Sequence, residues 1–501
     1  MTARRDADRP IYTCAGIRAL ETKALGGPTR PLMQAAGLAA AEFIRRHLPD
    51  TAKRVLIVAG PGNNGGDAFE AAVHLRRGFL GIDLVFAGSR DALSPDARAA
   101  LALWTDAGGS LLDDIPPQGR WDLAVDGLFG IGLTRPLEGR FADLVRRINS
   151  LGVPVIALDI PSGINADTGA VMGVAVHATH TMSFIALKPG LLTLDGPDRC
   201  GMLEIADLGL DTESIKPAPG WLLEERCIRA ALAPRAQNFH KGLAGSVSVI
   251  GGAHGMTGAA LIAGRAALKL GAGRVYVGLL DGDALAVDAV APELMFRSAS
   301  DAIEPATVIA IGPGLGTGAQ ALALLGQAIA SGLPLVLDAD ALNLIARDAS
   351  LVHRVASRAA PTLATPHPAE AARLLGTTTT AVQSDRLAAA RRIAQNLNAH
   401  VVLKGNGSVL AHPDGTFRIN PTGNPGMASA GMGDALTGFA ASLLAQGAAP
   451  EHALSAAVWL HGAAGDSLAQ AGDGPLGITA TDIIVSARRI LNRLMASPHP
   501  A

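Results

Sequence analysis

Short aliphatic, β-branched runs recur along the chain, each followed by a stretch whose apolar positions return every three or four residues. Residues 54–60 (RVLIVAG), 82–88 (IDLVFAG), 121–127 (WDLAVDG) and 153–159 (VPVIALD) read as buried parallel strands. Residues 67–78 (DAFEAAVHLRRG) and 141–152 (FADLVRRINSLG) read as amphipathic helices between them. Residues 180–188 (HTMSFIALK) add a further strand. This alternation predicts an open, mostly parallel sheet with helices on both faces. It weakens between about 208 and 245, where 213–221 (ESIKPAPGW) carries two prolines and a glycine and suggests a linker.

A second alternation follows: 246–252 (SVSVIGG), 274–280 (RVYVGLL), 307–316 (TVIAIGPGLG), 334–340 (PLVLDAD), 361–368 (PTLATPHP) and 400–410 (HVVLKGNGSVL). Three closing helices are expected to start near Gly431, Glu451 and Thr479. No sequence repeat relates the halves. The fold class expected is α/β, with two different open-sheet domains at 1–215 and 236–501 and a linker at 216–235.

Composition narrows the function. Hydrophobic residues are 49% and charged ones 17% of 501, enough to fill two cores. Aromatics are 3% and the net charge is −2 with no long basic run, which disfavours nucleic acid as a partner. No apolar run is long enough to cross a bilayer, and no apolar segment follows the charged amino terminus, so no membrane partner is expected and the cytoplasm is the expected location. Cys14, Cys200 and Cys227 show no metal spacing and read as thiols in a reducing compartment.

Ligands of open parallel sheets collect outside the carboxyl ends of the strands, so the chemistry is sought there. Residues 60–69 (GPGNNGGDAF) follow a strand and open a helix, a geometry that suits an anion, though neither a Walker loop nor a dinucleotide fingerprint is present. Asp126 in 124–136 (AVDGLFGIGLTRP), and Asp159 with Ser162 in 158–169 (LDIPSGINADTG), stand at two more strand ends. Carboxylate, amide and hydroxyl oxygens from these loops suit either a hard cation or ribose hydroxyls.

The three motifs, in this order, resemble the epimerase domain of the bifunctional NAD(P)H-hydrate repair enzymes over roughly residues 10–215, a Rossmann-like fold. The resemblance implies a potassium ion near Asn64, Asp126 and Ser162. It implies substrate contacts at Asn63, Asn64, Gly65, Gly66 and Asp67, at Gly130, Ile131, Gly132, Leu133, Thr134, Arg135 and Pro136, and at Asp159, with Asp159 also in a catalytic role.

In the second half, His240 and Lys241 precede the first strand, 311–318 (IGPGLGTG) forms a glycine-rich turn, His367 sits between prolines in 365–375 (TPHPAEAARLL), and Lys404 ends a strand in 403–408 (LKGNGS). Residues 423–438 (GNPGMASAGMGDALTG) crowd small residues around Asp434 at an expected helix start. Free N–H groups there would stabilise a transferred phosphoryl group, and the carboxylate would take the proton of an attacking hydroxyl. These motifs together resemble the ADP- or ATP-dependent NAD(P)H-hydrate dehydratases of the ribokinase-like fold over about residues 225–495. That resemblance implies nucleotide contacts at Lys404, Gly405, Asn406, Gly407, Ser408 and Gly433. It implies hydrate contacts at Ala259, Gly316, His367 and Asp434, with Asp434 as the base.

The function so implied is metabolite repair. The R and S hydrates of NADH and NADPH (NADHX and NADPHX) would be interconverted, and the S form dehydrated at the expense of ADP. Potassium and magnesium are the implied cofactors and a homo-oligomer the implied assembly. The alternative is a ribokinase-like small-molecule kinase carrying an amino-terminal ligand-binding module.

Overall fold

A computed structural model of the chain describes residues 9–24, 31–76, 80–231, 235–283 and 286–496. Residues 232–234 of the expected linker and the side chain of Cys227 lie outside the described residues. The chain divides into two compact units, Met1–Trp221 and Leu222–Ala501.

In the first unit seven parallel strands lie in the order Leu111–Leu112, Gly81–Phe86, Arg54–Ala59, Leu123–Gly127, Val155–Leu158, His180–Phe184, Met202–Ala206. The two-residue pleat sends Val55, Ile57 and Ala59 to one face and Leu56 and Val58 to the other. The first face packs against the helices Leu32–His47, Asn63–Arg76 and Pro95–Asp106, the second against Gly139–Ser150. Burial on both faces is why these strands read as unbroken apolar runs.

In the second unit the parallel strands lie in the order Met295–Ser298, Arg274–Leu279, Ser246–Gly251, Val308–Ile311, Leu335–Leu337, Thr362–Ala364, His400–Leu403. Ser408–Ala411 and Phe417–Asn420 continue it antiparallel. The run 400–410 is therefore a hairpin and not one strand, because Gly405 and Gly407 take positive φ values of 142° and 61° and turn the chain back. The helices Thr257–Lys269, Met432–Ala445, Pro450–Gln470 and Ala480–Ala496 share one core with the central strands.

Both units reverse strand order between their first strand and their fourth, the switch point at which loops from neighbouring strand ends part and leave a crevice. No helix among the described residues is long and apolar enough to cross a membrane.

Candidate active sites

The first unit's crevice opens into a cavity of about 870 Å³. It is lined by Asn63, Asn64, Asp67, Gly130, Ile131, Gly132 and Asp159 of the expected set, and by Glu21 from the helix Cys14–Ala24. Gly65 and Gly66 are buried in the first turn of the Asn63 helix. Leu133 turns into the core behind the sheet, and Thr134, Arg135 and Pro136 are exposed beyond the cavity lining.

Asp126 is fully buried. Its Oδ1 accepts from Ser162 Oγ at 2.6 Å and Leu128 N at 3.2 Å, and its Oδ2 accepts from Ser162 N at 2.7 Å. Burial pushes its carboxyl up to about 6, and these hydrogen bonds oppose the rise. Close by, the side-chain amide of Asn64 is buried, and neither Oδ1 nor Nδ2 has a hydrogen-bond partner. A buried amide left without partners is costly unless something meets it. Among the described residues no three His, Cys, Asp or Glu groups gather as a metal site. The donors here are instead one carboxylate, one hydroxyl and one orphaned amide oxygen, a set suited to a hard cation of low charge.

Asp159 holds a left-handed backbone, φ 66°, immediately after its strand. One carboxylate oxygen accepts from the ammonium of Lys188, the other from Ile131 N at 3.1 Å. Gly130 is bare beside this carboxylate: a Cβ there would stand 2.6 Å from Asp159 Oδ2 and would force it to shift. In the same cavity, burial and then the carboxylates of Asp159, Glu21 and Glu70 push Asp67 well above the usual carboxylate range, with Lys188 opposing. Burial and then Asp159 raise Glu21 as well.

In the second unit Asp434 lies in the first turn of the helix Met432–Ala445. Gly431, at φ 87°, starts that helix and makes no side-chain cap, which leaves the N–H groups of the first turn to other acceptors. Burial first, then the charge of Asp338, pushes the Asp434 carboxyl up to about 7; Lys404 pulls it down and Glu370 adds to the rise. Lys404 Nζ stands 3.1 Å from Asp338 Oδ1, beside Gly433. Burial opposes its charge, but Asp338, Glu370 and Asp434 outweigh burial and raise its pKa.

Asp338, which sequence reasoning did not single out, is the hub. Its Oδ1 also accepts from Thr365 Oγ1 at 2.7 Å, and its Oδ2 from Thr437 Oγ1 at 2.9 Å, which ties three strand ends to the Asp434 helix.

His367 caps the helix Pro368–Leu375: its Nδ1 accepts from Ala369 N at 3.1 Å and Glu370 N at 3.4 Å, while Glu370 accepts from His367 N at 2.8 Å. Burial, Lys404 and Arg373 lower its pKa, which favours the neutral ring. Gly316 N donates to Asp340 Oδ2 at 2.8 Å, and Ala259 lies beside the same glycine-rich turn, against Gly314. The turn from Lys404 through Gly405, Asn406 and Gly407 to Ser408 links the hairpin strands. It rests on the buried Arg386, whose Nη2 donates to Leu403 O at 3.2 Å and Lys404 O at 3.3 Å. His240 and Lys241 stand exposed.

Residues 247–488 match the family model described as NAD(P)H-hydrate dehydratase, and residues 29–190 match the YjeF-related protein N-terminus. The chain is 39% identical over 484 residues to the bifunctional NAD(P)H-hydrate repair enzyme Nnr of Escherichia coli K12, covering 93% of this chain and 90% of that one. It is 38% identical over 493 residues to the enzyme of the same description from Coxiella burnetii, covering 96% and 99%. Among solved structures, the ADP/ATP-dependent NAD(P)H-hydrate dehydratase of Bacillus subtilis, co-crystallized with ATP/Mg2+, is 30% identical and covers 55% of this chain and 98% of that chain, with a TM-score of 0.48.

Proposed function

The chain belongs to the bifunctional NAD(P)H-hydrate repair enzymes, and from that premise we propose how its own residues divide the two reactions. The single observation that carries the assignment of the dehydratase site is Asp434. It is a carboxyl held near neutral pKa at an uncapped helix start, beside a lysine and a glycine-rich turn.

In the second unit the C6 hydroxyl of the S hydrate binds over Asp434, which removes its proton as the oxygen attacks the terminal phosphoryl group of ADP; the bridging P–O bond breaks and AMP leaves with its electron pair. The N–H groups at the Met432 helix start receive the charge of that phosphoryl group. Lys404, Gly405, Asn406, Gly407, Ser408 and Gly433 hold the nucleotide, and magnesium accompanies its phosphates. Ala259, Gly316 and His367 border the hydrate. The C6–O bond then breaks with its electron pair on phosphate, a proton leaves C5, and the ring double bond returns. A hydroxide leaves poorly and phosphate leaves well, which is the physical reason for consuming a nucleotide.

In the first unit the hydrate ring enters the cavity between Asp67 and Asp159, bordered by Asn63, Asn64 and the 130–132 loop. The C6 hydroxyl takes up a proton and leaves as water with the C–O electron pair, which gives a cationic ring that the Asp159 carboxylate stabilises; addition of water to the other face, with return of the proton, gives the second epimer. Potassium fits the orphaned oxygen of Asn64 with Asp126 and Ser162, where it would supply a fixed positive charge at the cavity edge. NADHX and NADPHX are the substrates in this reading, and the working form is a cytoplasmic homo-oligomer.

The assignment of ADP is tested by supplying S hydrate and magnesium with ADP or with ATP. The reduced-nicotinamide absorbance is expected to return faster with ADP; a faster return with ATP reverses the assignment of the donor.

A further inference from the structure

Lys188 is fully buried, and neither half-reaction as written uses it. It lies four residues beyond the strand His180–Phe184 in a run of apolar residues. Taking an ammonium out of water is costly unless it is paired and hydrogen-bonded. Here it has three acceptors: Asp159 Oδ1, Ser183 Oγ at 2.9 Å and Phe184 O at 2.8 Å. Ser183 spends its own proton on Ala186 O at 2.8 Å, so its lone pairs are left for the ammonium.

Three features show that the pair serves the cavity rather than the core. Asp159 meets Lys188 from a left-handed backbone, a conformation uncommon outside glycine, asparagine and aspartate, which sets the direction in which its carboxylate leaves the strand end. Its second oxygen is tied to Ile131 N, in a loop that lines the same cavity. The neighbouring position in that loop, Gly130, is bare where any Cβ would strike the carboxylate. A buried ion pair is moreover a weak source of stability compared with apolar residues of similar volume.

We propose that Lys188 is the positioning residue of the epimerisation, holding the Asp159 carboxylate in place at the cavity floor so that it faces the nicotinamide ring. This rests on the epimerase reading of the first unit. Lys188 has no contact with substrate and acts only through Asp159.

The test compares full-length wild type, Lys188→Met and Ser183→Ala for conversion of R to S hydrate, with dehydration of pure S hydrate measured on the same preparations. Lys188→Met is expected to lower the epimerisation kcat at least 30-fold with KM within threefold, while S-hydrate dehydration is unchanged. Ser183→Ala keeps both charges and removes one anchor. It is expected to fold even where Lys188→Met does not, and to lower kcat threefold to tenfold with KM unchanged. Wild-type kcat in Ser183→Ala, or in a folded Lys188→Met, overturns the proposal, as does a loss that falls on KM alone. Absence of epimerisation in the wild type would instead overturn the epimerase reading itself.

Discussion

At the scale of single residues, the decisive group is Asp434. Its carboxyl titrates near 7 in the folded chain against an ordinary value of 3.8. Between those values the folded chain keeps a proton that the unfolded chain has released. Stability contributed at this position therefore falls as pH rises from about 4 to about 7, and stays lowered above that. In the proposed reading of Asp434 as the base, the raised pKa that suits it to take a proton also costs stability at this position. Asp434→Asn is expected to melt higher than wild type at pH 8 and at the same temperature at pH 4, while dehydration falls by about 10³-fold, in the range seen for loss of a general base. A lower melting temperature at pH 8 would show that Asp434 is a structural cap after all.

At the scale of elements, loops beyond the strand ends carry the groups of both sites, and the loop after Leu123–Gly127 depends on a missing side chain. Gly130→Ala would push a methyl to 2.6 Å from Asp159 Oδ2, a carboxylate already tied at both oxygens. Epimerisation is expected to fall at least tenfold in this variant, with S-hydrate dehydration unchanged; equal epimerisation rates would mean that Asp159 is free to move.

The same scale explains what could be read from the chain. Strands such as Val155–Leu158, buried along their whole length, announce themselves as apolar runs. Leu111–Leu112 is too short to show a period, and Met202–Ala206 and Met295–Ser298 are edge strands, half or largely exposed, that take their register from a neighbour. Phe417–Asn420 was signalled only by the Pro-Asp-Gly turn before it, in which Asp414 accepts from Thr416 N at 2.9 Å. Asp338 obeys the strand-end rule that drew notice to Asp126 and Asp159, but its value lies in its partners Thr365, Lys404 and Thr437, which are far away in sequence. Lys188 left a single signal, a charge inside an apolar run, and only its partners in space give that signal meaning.

At the scale of the molecule, two units with the same parallel strand order carry sites of different chemistry. The first has an orphaned amide oxygen and opposed carboxyls around a cavity, suited to moving a ring substituent. The second has an open helix start, a lysine and a near-neutral carboxyl, suited to phosphoryl transfer. Placing both in one chain lets it accept either epimer. The most direct test follows reduced-nicotinamide absorbance from a mixture of R and S NADPH hydrate with magnesium and ADP, using wild type and Asp159→Asn. Complete recovery is expected from the wild type, and from Asp159→Asn a rapid phase limited to the S fraction, followed only by the uncatalysed conversion of R. Equal, complete and rapid recovery by both would contradict the assignment of the first site.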